Sequence, residues 1–163
     1  MEKKAEKFVS PLHIPVFLIA ADDIAAPMCV TMASILANTK AFIEFYILER
    51  SSLKISPEKK ERIEKLRNRY SAFSIEYIEV NPDDFAGLAP TTAGYIPNDT
   101  YFRYIIPELK PEIKKAVYLD VDIIVKKDIA DLYCEKLGKN YIGRSIIPHI
   151  VGNILILRRL STT

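Results

Sequence analysis

Several segments of the chain carry the hydrophobic pattern of buried β-strands. The first, Ile14 to Ala21, is a continuous apolar run that Asp22 and Asp23 close, which is typical of a strand buried on both faces. The later strand candidates alternate apolar and polar residues or form short apolar runs. They are Ile43 to Ile47, Ser74 to Val80, Ala116 to Leu119 with an extended continuation over Ile123 to Val125, Tyr141 to Ile147, and Asn153 to Leu157.

Between the strand candidates, apolar residues recur at helical spacing. Met28, Met32, Ile35 and Leu36 predict a helix that ends at Asn38-Thr39. A second helix is predicted over Pro57 to Arg69, because proline is favoured at the first position of a helix. Its apolar residues form only a narrow seam, which indicates that one side is buried and the other is solvated. The further helical segments are Thr100 to Ile106, ending before Pro107, and a short turn at Ile129 to Tyr133.

The order of these elements predicts an α/β fold with a mostly parallel central sheet. We find no linker that would divide the chain, so residues 1–163 are interpreted as a single domain. A long loop is predicted over Asn81 to Asn98, and long loops inside compact domains are often functional. In such folds ligands bind beyond the carboxyl ends of the strands.

Composition narrows the function classes. The formal charge is only +2, which gives no indication of a nucleic-acid partner or of an anionic membrane. The two cysteines, Cys29 and Cys134, lack a metal-ligand spacing and are interpreted as reduced, which favours a cytoplasmic protein. A disulfide between them stays open, since it needs a proximity that the sequence does not show. No apolar run is long enough to span a membrane.

Asp120 and Asp122 are the strongest candidates for chemistry. They sit two positions apart inside an apolar run, and in an extended chain residues at that spacing point to the same face. Two like charges held so close repel each other, and a divalent cation such as magnesium or manganese removes the problem and in turn holds a diphosphate. The alternative is a strand end whose acids are solvated or paired with Lys126 and Lys127.

Two further motifs each have a functional and a structural interpretation. Asp22, at the end of the first strand, offers an acceptor to a nucleobase N–H, or it is a solvated strand terminus or helix cap. Arg103 lies among aromatic residues and suits a phosphate or carboxylate partner. Alternatively, Arg103 pairs with Glu108 or lies over a tyrosine ring.

Taken together and in order, these pieces resemble glycosyltransferase family 8, the family of glycogenin and of bacterial lipopolysaccharide galactosyl- and glucosyltransferases. The resemblance runs from about Ile14 to Ile146. The matching stretches are Ile19-Ala20-Ala21-Asp22-Asp23, Ala26 to Ile35, Val80 to Phe85, Thr100-Tyr101-Phe102-Arg103, and Tyr118-Leu119-Asp120-Val121-Asp122.

The resemblance implies a Rossmann-like GT-A fold and a retaining transfer of a hexose from a UDP-sugar to a saccharide or lipopolysaccharide acceptor. It implies that Asp120 and Asp122 bind Mn²⁺ (or Mg²⁺) and that Asp22 hydrogen-bonds the uracil. Arg103 would reach the donor sugar or its phosphates and support catalysis electrostatically. The other residues that the resemblance places at the donor site are Ala20, Ala21 and Val121.

The sequence also departs from the family pattern. After Asp22-Asp23 the family usually has Asn-Tyr, whose Tyr packs on uracil, whereas this chain has Ile24 and Ala25. The family continues for about another hundred residues, roughly a small domain's worth of chain, with a histidine that is the third metal ligand. The fold is therefore expected to be truncated at its carboxyl-terminal side.

The sequence leaves three alternatives for the function and adds two expectations about association. The chain is an active transferase, a nucleotide-sugar-binding remnant without turnover, or, as a rival enzyme class, a phosphatase of the haloacid dehalogenase type, which also has Asp-x-Asp at a strand end. The apolar residues near the end of the chain suggest self-association into a homo-oligomer. Peripheral membrane association through the absent carboxyl-terminal region is a further expectation.

Overall fold

A computed structural model of the chain describes residues 11–81, 102–138, 142–144 and 154–158. Six strands and four α-helices lie in these ranges, together with 3-10 helices at Asp22–Ile24 and Lys65–Asn68. The strands are β1 (His13–Ile19), β2 (Phe42–Arg50), β3 (Phe73–Val80), β4 (Lys115–Leu119), β5 (Ile142–Arg144) and β6 (Ile154–Arg158). The helices are α1 (Ala25–Asn38), α2 (Pro57–Glu64), α3 (Phe102–Leu109) and α4 (Ile129–Cys134).

All the described strands belong to one sheet, in the order β3-β2-β1-β4-β6-β5. The first four strands are parallel, whereas β6 pairs antiparallel with both β4 and β5. The prediction of a mostly parallel α/β sheet is therefore confirmed. The two candidates near the end of the chain are strands as predicted, and their antiparallel pairing extends one side of the parallel core.

Helices cover both faces of this sheet. Side chains alternate between the two faces along each strand, so each strand packs against helices on both sides. In β4, Val117 and Leu119 point to the face that α1, α2 and α4 cover. Ala116 and Tyr118 point to the opposite face, where Phe102 of α3 packs. This alternation explains why Ile14 to Ala21 is apolar throughout, since a strand with both faces covered has no solvated side.

The predicted end of α3 before Pro107 is wrong, because the helix continues through Pro107 to Leu109. Proline removes one backbone hydrogen bond inside a helix, which normally disfavours such a continuation. Here Phe102 and Ile106 are buried against the sheet, and this packing outweighs the local preference. The second predicted helix likewise differs in its last turns, which form the 3-10 helix Lys65–Asn68 after α2.

The stretch after β4 also differs from its prediction. Val121 and Asp122 form a turn, and residues 123–125 belong to no strand although Ile123 and Val125 are buried. The physical reason is that side chains of α1, rather than a neighbouring strand, hydrogen-bond the backbone of this stretch. The expectation that Asp120 and Asp122 share a face of an extended strand is therefore wrong, because Asp120 precedes the turn and Asp122 is part of it.

Other expectations have mixed outcomes. Cys29 and Cys134 are free thiols, so no disulfide joins them.

Nearly all of the predicted loop, residues 82–98, lies outside the described residues. None of the helices in the described part of the chain combines the length and the apolar character that a membrane span requires.

Candidate functional site

The candidate site lies where the order of the parallel strands reverses. From β1 the chain proceeds outward to β2 and β3, and it then returns to place β4 on the other side of β1. The two strands pair in parallel, with Val16 opposite Val117 and Phe17 opposite Tyr118, so their carboxyl ends lie side by side. Such a reversal opens a crevice beyond the strand ends, which is where α/β sheets bind ligands.

A cleft of about 370 Å³ occupies this position. One wall comes from the end of β1 and the start of α1, a second from the end of β4 and the turn after it, and a third from α3. The lining residues are Ile19, Ala20, Ala21, Ile24, Pro27, Arg103, Tyr118, Asp120, Val121 and Asp122. The cleft therefore brings together Ala20, Ala21, Arg103, Val121 and both aspartates of the Asp-x-Asp motif.

The two aspartates differ in their surroundings. Asp120 is half-buried, and its Oδ1 accepts a hydrogen bond of 3.2 Å from the hydroxyl of Tyr118. Asp122 is exposed on the turn. Within the described ranges no ion pair joins Asp122 to Lys126 or Lys127, so of the two forms of the structural alternative the exposed Asp122 matches the solvated one and not the paired one.

Arg103 reaches the cleft from α3 and lies over the ring of Tyr118, with its guanidinium carbon 4.8 Å from the ring centroid. The tyrosine-ring alternative is therefore correct, and it does not exclude the functional one, since Arg103 also lines the cleft. Burial raises the pKa of Tyr118 well above its usual value, and the charges of Asp120 and Asp122 raise this pKa further against the opposing charge of Arg103. Tyr118 is consequently a neutral hydrogen-bond donor to Asp120.

Asp22 is placed differently from the other predicted site residues. Its Oδ1 accepts the backbone N–H of Ser56 at 2.8 Å, and its Oδ2 pairs with Lys59 Nζ at 2.6 Å. The hydrogen bond from Lys59 and that from Ser56 lower the pKa of Asp22 to about 2. Its chain neighbour Ala21 lines the cleft, but Asp22 itself is not among the lining residues.

The donor set of the cleft sets the kind of metal site that it can form. No cluster of three or more metal-ligating side chains occurs in the part of the chain that the structure describes. Two carboxylates are nevertheless the hard oxygen ligands that Mg²⁺ and Mn²⁺ prefer, and Mg²⁺ is commonly held by one or two carboxylates together with substrate phosphates. Asp120 and Asp122 therefore fit a cation that a bound diphosphate also coordinates.

Some residues of the cleft had been given no role from the sequence. Tyr118 joins Arg103 and Asp120 in one cluster, and Ile24 and Pro27 form an apolar wall. The signal for Tyr118 was its position two residues before Asp120, which places both on the same side of β4. Outside the cleft, Thr31 of α1 also had no assigned role, although a polar residue on the apolar face of a helix is a recognisable signal.

Comparisons with known proteins agree with this architecture. The family model described as glycosyl transferase family 8 matches residues 15–145. A protein of Haemophilus influenzae that is named as a glycosyltransferase is 33% identical over 127 residues, and glycosyltransferase 8 domain-containing protein 1 of Xenopus tropicalis is 30% identical over 124 residues. The crystal structure of the galactosyltransferase LgtC with donor and acceptor sugar analogues superposes with a TM-score of 0.72 at 26% identity.

These matches cover most of this chain but only part of each relative. The alignments span 77% and 74% of the chain, but only 37% of the Haemophilus protein and 32% of the Xenopus protein. The LgtC match covers 89% of this chain and 58% of that structure. The predicted Rossmann-like GT-A fold is confirmed, and the phosphatase alternative finds no support among these matches.

Proposed function

Because the chain belongs to glycosyl transferase family 8, we propose that its cleft binds the diphosphate of a UDP-sugar through a divalent cation, Mn²⁺ or Mg²⁺. The observation that carries this proposal is the convergence of Asp120, Asp122 and Arg103 on one cleft at the ends of β1 and β4. The carboxylates of Asp120 and Asp122 would hold the metal, and the guanidinium of Arg103 suits phosphate oxygens.

In this proposal each group of the cleft has its own task. Asp120 and Asp122 hold the cation, which when bound neutralises the charge that develops on the departing UDP. Arg103 adds a fixed positive charge that always remains ionised, and the ring of Tyr118 beneath it limits its movement. Tyr118 also donates to Asp120, which orients this carboxylate toward the cleft.

The nucleobase is proposed to lie between the end of β1 and the wall made by Ile24 and Pro27. Ala20 and Ala21 both line the cleft, and their small side chains leave room for a base. The N–H of Ala20 already donates to the Leu48 carbonyl at 3.1 Å, so other backbone groups of the two residues would meet the base edge. Asp22 stays ionised because its pKa is about 2. Since a carboxylate offers about four acceptor sites, Asp22 retains capacity for a nucleobase N–H beside Ser56 and Lys59.

The transfer step itself is carried over from the family. The LgtC structure contains donor and acceptor sugar analogues, and by analogy we propose a hexosyl donor and a saccharide acceptor for this chain. Retention of the anomeric configuration and a role in polysaccharide assembly belong to the same proposal, as does a cytoplasmic location. The alternative is a binding module without turnover, and the experiment below separates it from the proposed transferase.

Calorimetric titration of UDP into the chain, with and without Mn²⁺, tests the proposal. We expect binding that requires Mn²⁺ and that Asp122→Asn weakens by more than about 100-fold, because loss of a direct ligand exceeds the roughly 10- to 100-fold loss seen for supporting groups. The matched control is Asp131→Asn, which removes an exposed acid of α4 outside the cleft. This control is expected to bind UDP like the unaltered chain.

The outcomes separate three conclusions. The assignment of the metal site would be contradicted if Asp131→Asn and Asp122→Asn weakened UDP binding equally. It would also be contradicted if UDP bound with the same affinity with and without Mn²⁺. Metal-dependent binding without sugar transfer to a saccharide acceptor would favour the binding module. Binding together with transfer from a UDP-hexose would establish the transferase.

A further inference from the structure

One face of α1 carries three polar side chains that contact the backbone after β4. Thr31, Ser34 and Asn38 follow one another at spacings of three and four residues, which places them on the same side of the helix. We call these three residues the α1 clamp. Every member of the clamp hydrogen-bonds the segment 121–125, which contains the second aspartate of the cleft.

Thr31 makes the contacts nearest to that aspartate. Its hydroxyl oxygen lies 2.8 Å from the carbonyl oxygen of Val121 and 2.8 Å from that of Ile123, so it contacts the residues on both sides of Asp122. One hydroxyl proton is shared between these two acceptors. Thr31 is fully buried, and a buried hydroxyl is tolerated only when it is hydrogen-bonded.

The rest of the clamp fixes the end of the segment. The hydroxyl of Ser34 accepts the N–H of Val125 at 2.9 Å and donates to the carbonyl of Thr31 at 2.7 Å. The Asn38 amide donates to the carbonyl of Val125 at 2.9 Å. These hydrogen bonds take the place of the backbone hydrogen bonds that a neighbouring strand would supply. The path of the backbone over the segment 121–125 therefore depends on α1.

We propose that the α1 clamp is a positioning device that holds the turn at Asp122 so that its carboxylate meets the metal together with Asp120. This inference rests on the proposed function of the cleft and adds to it a set of residues that lie outside the cleft. Asp120 is oriented by Tyr118 from the α3 side of the sheet, whereas Asp122 is exposed and its backbone is held from the α1 side. The two ligands are therefore supported independently.

Three variants of the complete chain test the clamp. Thr31→Val removes the hydroxyl and keeps the branched shape, Thr31→Ser restores the hydroxyl, and Thr39→Val is the matched control. Thr39 is the residue after the last turn of α1, and its hydroxyl donates to Asp128 at 2.7 Å, beyond the segment 121–125. Its loss removes a threonine hydroxyl that donates to Asp128 and accepts the N–H of Ala41, without touching the neighbours of Asp122.

The first readout is the affinity for Mn²⁺ in the presence of UDP, measured by electron paramagnetic resonance of the free ion. We expect Thr31→Val to weaken Mn²⁺ binding by about 10- to 100-fold, the range for loss of a group that orients a metal ligand. Thr31→Ser is expected to recover most of this affinity. Thr39→Val should leave the affinity unchanged even if its melting temperature falls as much as that of Thr31→Val.

The second readout is amide hydrogen exchange of residues 121–125 in the metal-free chain, followed by mass spectrometry. Faster exchange in Thr31→Val, but not in Thr39→Val, is expected if the clamp holds this segment. Unchanged exchange, or equal losses of Mn²⁺ affinity in Thr31→Val and Thr39→Val, would overturn the proposal. If the unaltered chain binds no Mn²⁺ with UDP, the proposed function fails, while the exchange measurement still decides whether the clamp positions the turn.

Discussion

Two pairs of carboxylates near the ends of parallel strands have contrasting surroundings. Asp22, after β1, and Glu49, in β2, are both engaged by the start of α2 and the residues before it. Asp22 binds Ser56 N–H and Lys59, and Glu49 accepts Ile55 N–H at 2.7 Å and Lys60 Nζ at 2.6 Å. The second pair, Asp120 and Asp122, instead lines the cleft.

This contrast distinguishes carboxylates that the fold uses from those that a ligand would use. Glu49 is only 3% exposed, and a buried charge is tolerated when it is paired and hydrogen-bonded, as it is here. The first pair therefore ties α2 to the sheet. Asp120 and Asp122 carry like charges on the wall of one cleft, and Asp122 is exposed, so their contribution is expected in ligand binding rather than in stability.

The largest effect on stability is expected for Glu49→Ala. This change leaves the buried N–H of Ile55 and the ammonium of Lys60 without their acceptor, and we expect it to lower the free energy of unfolding by about 2 kcal/mol. Urea unfolding followed by circular dichroism measures this value. The control is Glu79→Ala, which breaks the exposed pair with Lys54 and should cost less than about 1 kcal/mol. Equal losses would show that the burial of Glu49 is unimportant.

A smaller, pH-dependent effect is expected for Asp22. Its pKa of about 2 in the folded chain lies below the value of about 3.9 for an unfolded aspartate, so folding favours the ionised form. The resulting stabilisation is complete above about pH 4 and is lost as the pH falls toward 2. Carboxyl titration by NMR should show the pKa of Asp22 rising in Lys59→Met, because Lys59 is the main cause of the low value. An unchanged pKa in this variant would contradict that cause.

The smallest effect on stability is expected for Asp122→Asn in the absence of metal. Asp122 is exposed, so the free energy of unfolding should shift by no more than about 0.5 kcal/mol. The same urea unfolding measurement applies. A loss as large as that of Glu49→Ala would mean that Asp122 has a structural role, and the comparison between the two pairs would fail.

Local sequence patterns predicted the elements of the site well but not their mutual contacts. The apolar runs before Asp22 and Asp120 located the ends of β1 and β4, because burial on both faces leaves a clear signal. The turn at Val121-Asp122 was missed, since the partners of this backbone belong to α1, about 90 positions away. The engagement of Asp22 was missed for the same reason, because Ser56 and Lys59 lie just before and within α2, more than 30 positions away. Pro107 shows the converse, a local rule that tertiary packing overrides.

The separation between Thr31 and the backbone that it binds has a consequence for the order of folding. The hydrogen bonds to Val121 and Ile123 connect residues 90 and 92 positions apart. Contacts of this span form after local ones, because the entropy of closing a long loop is lost before the contact is gained. On the ribosome, β1, β2 and β3 are complete before the Asp-x-Asp segment has been synthesised. We therefore expect the Asp-x-Asp turn to take up its native geometry late in folding, once β4 has inserted beside β1.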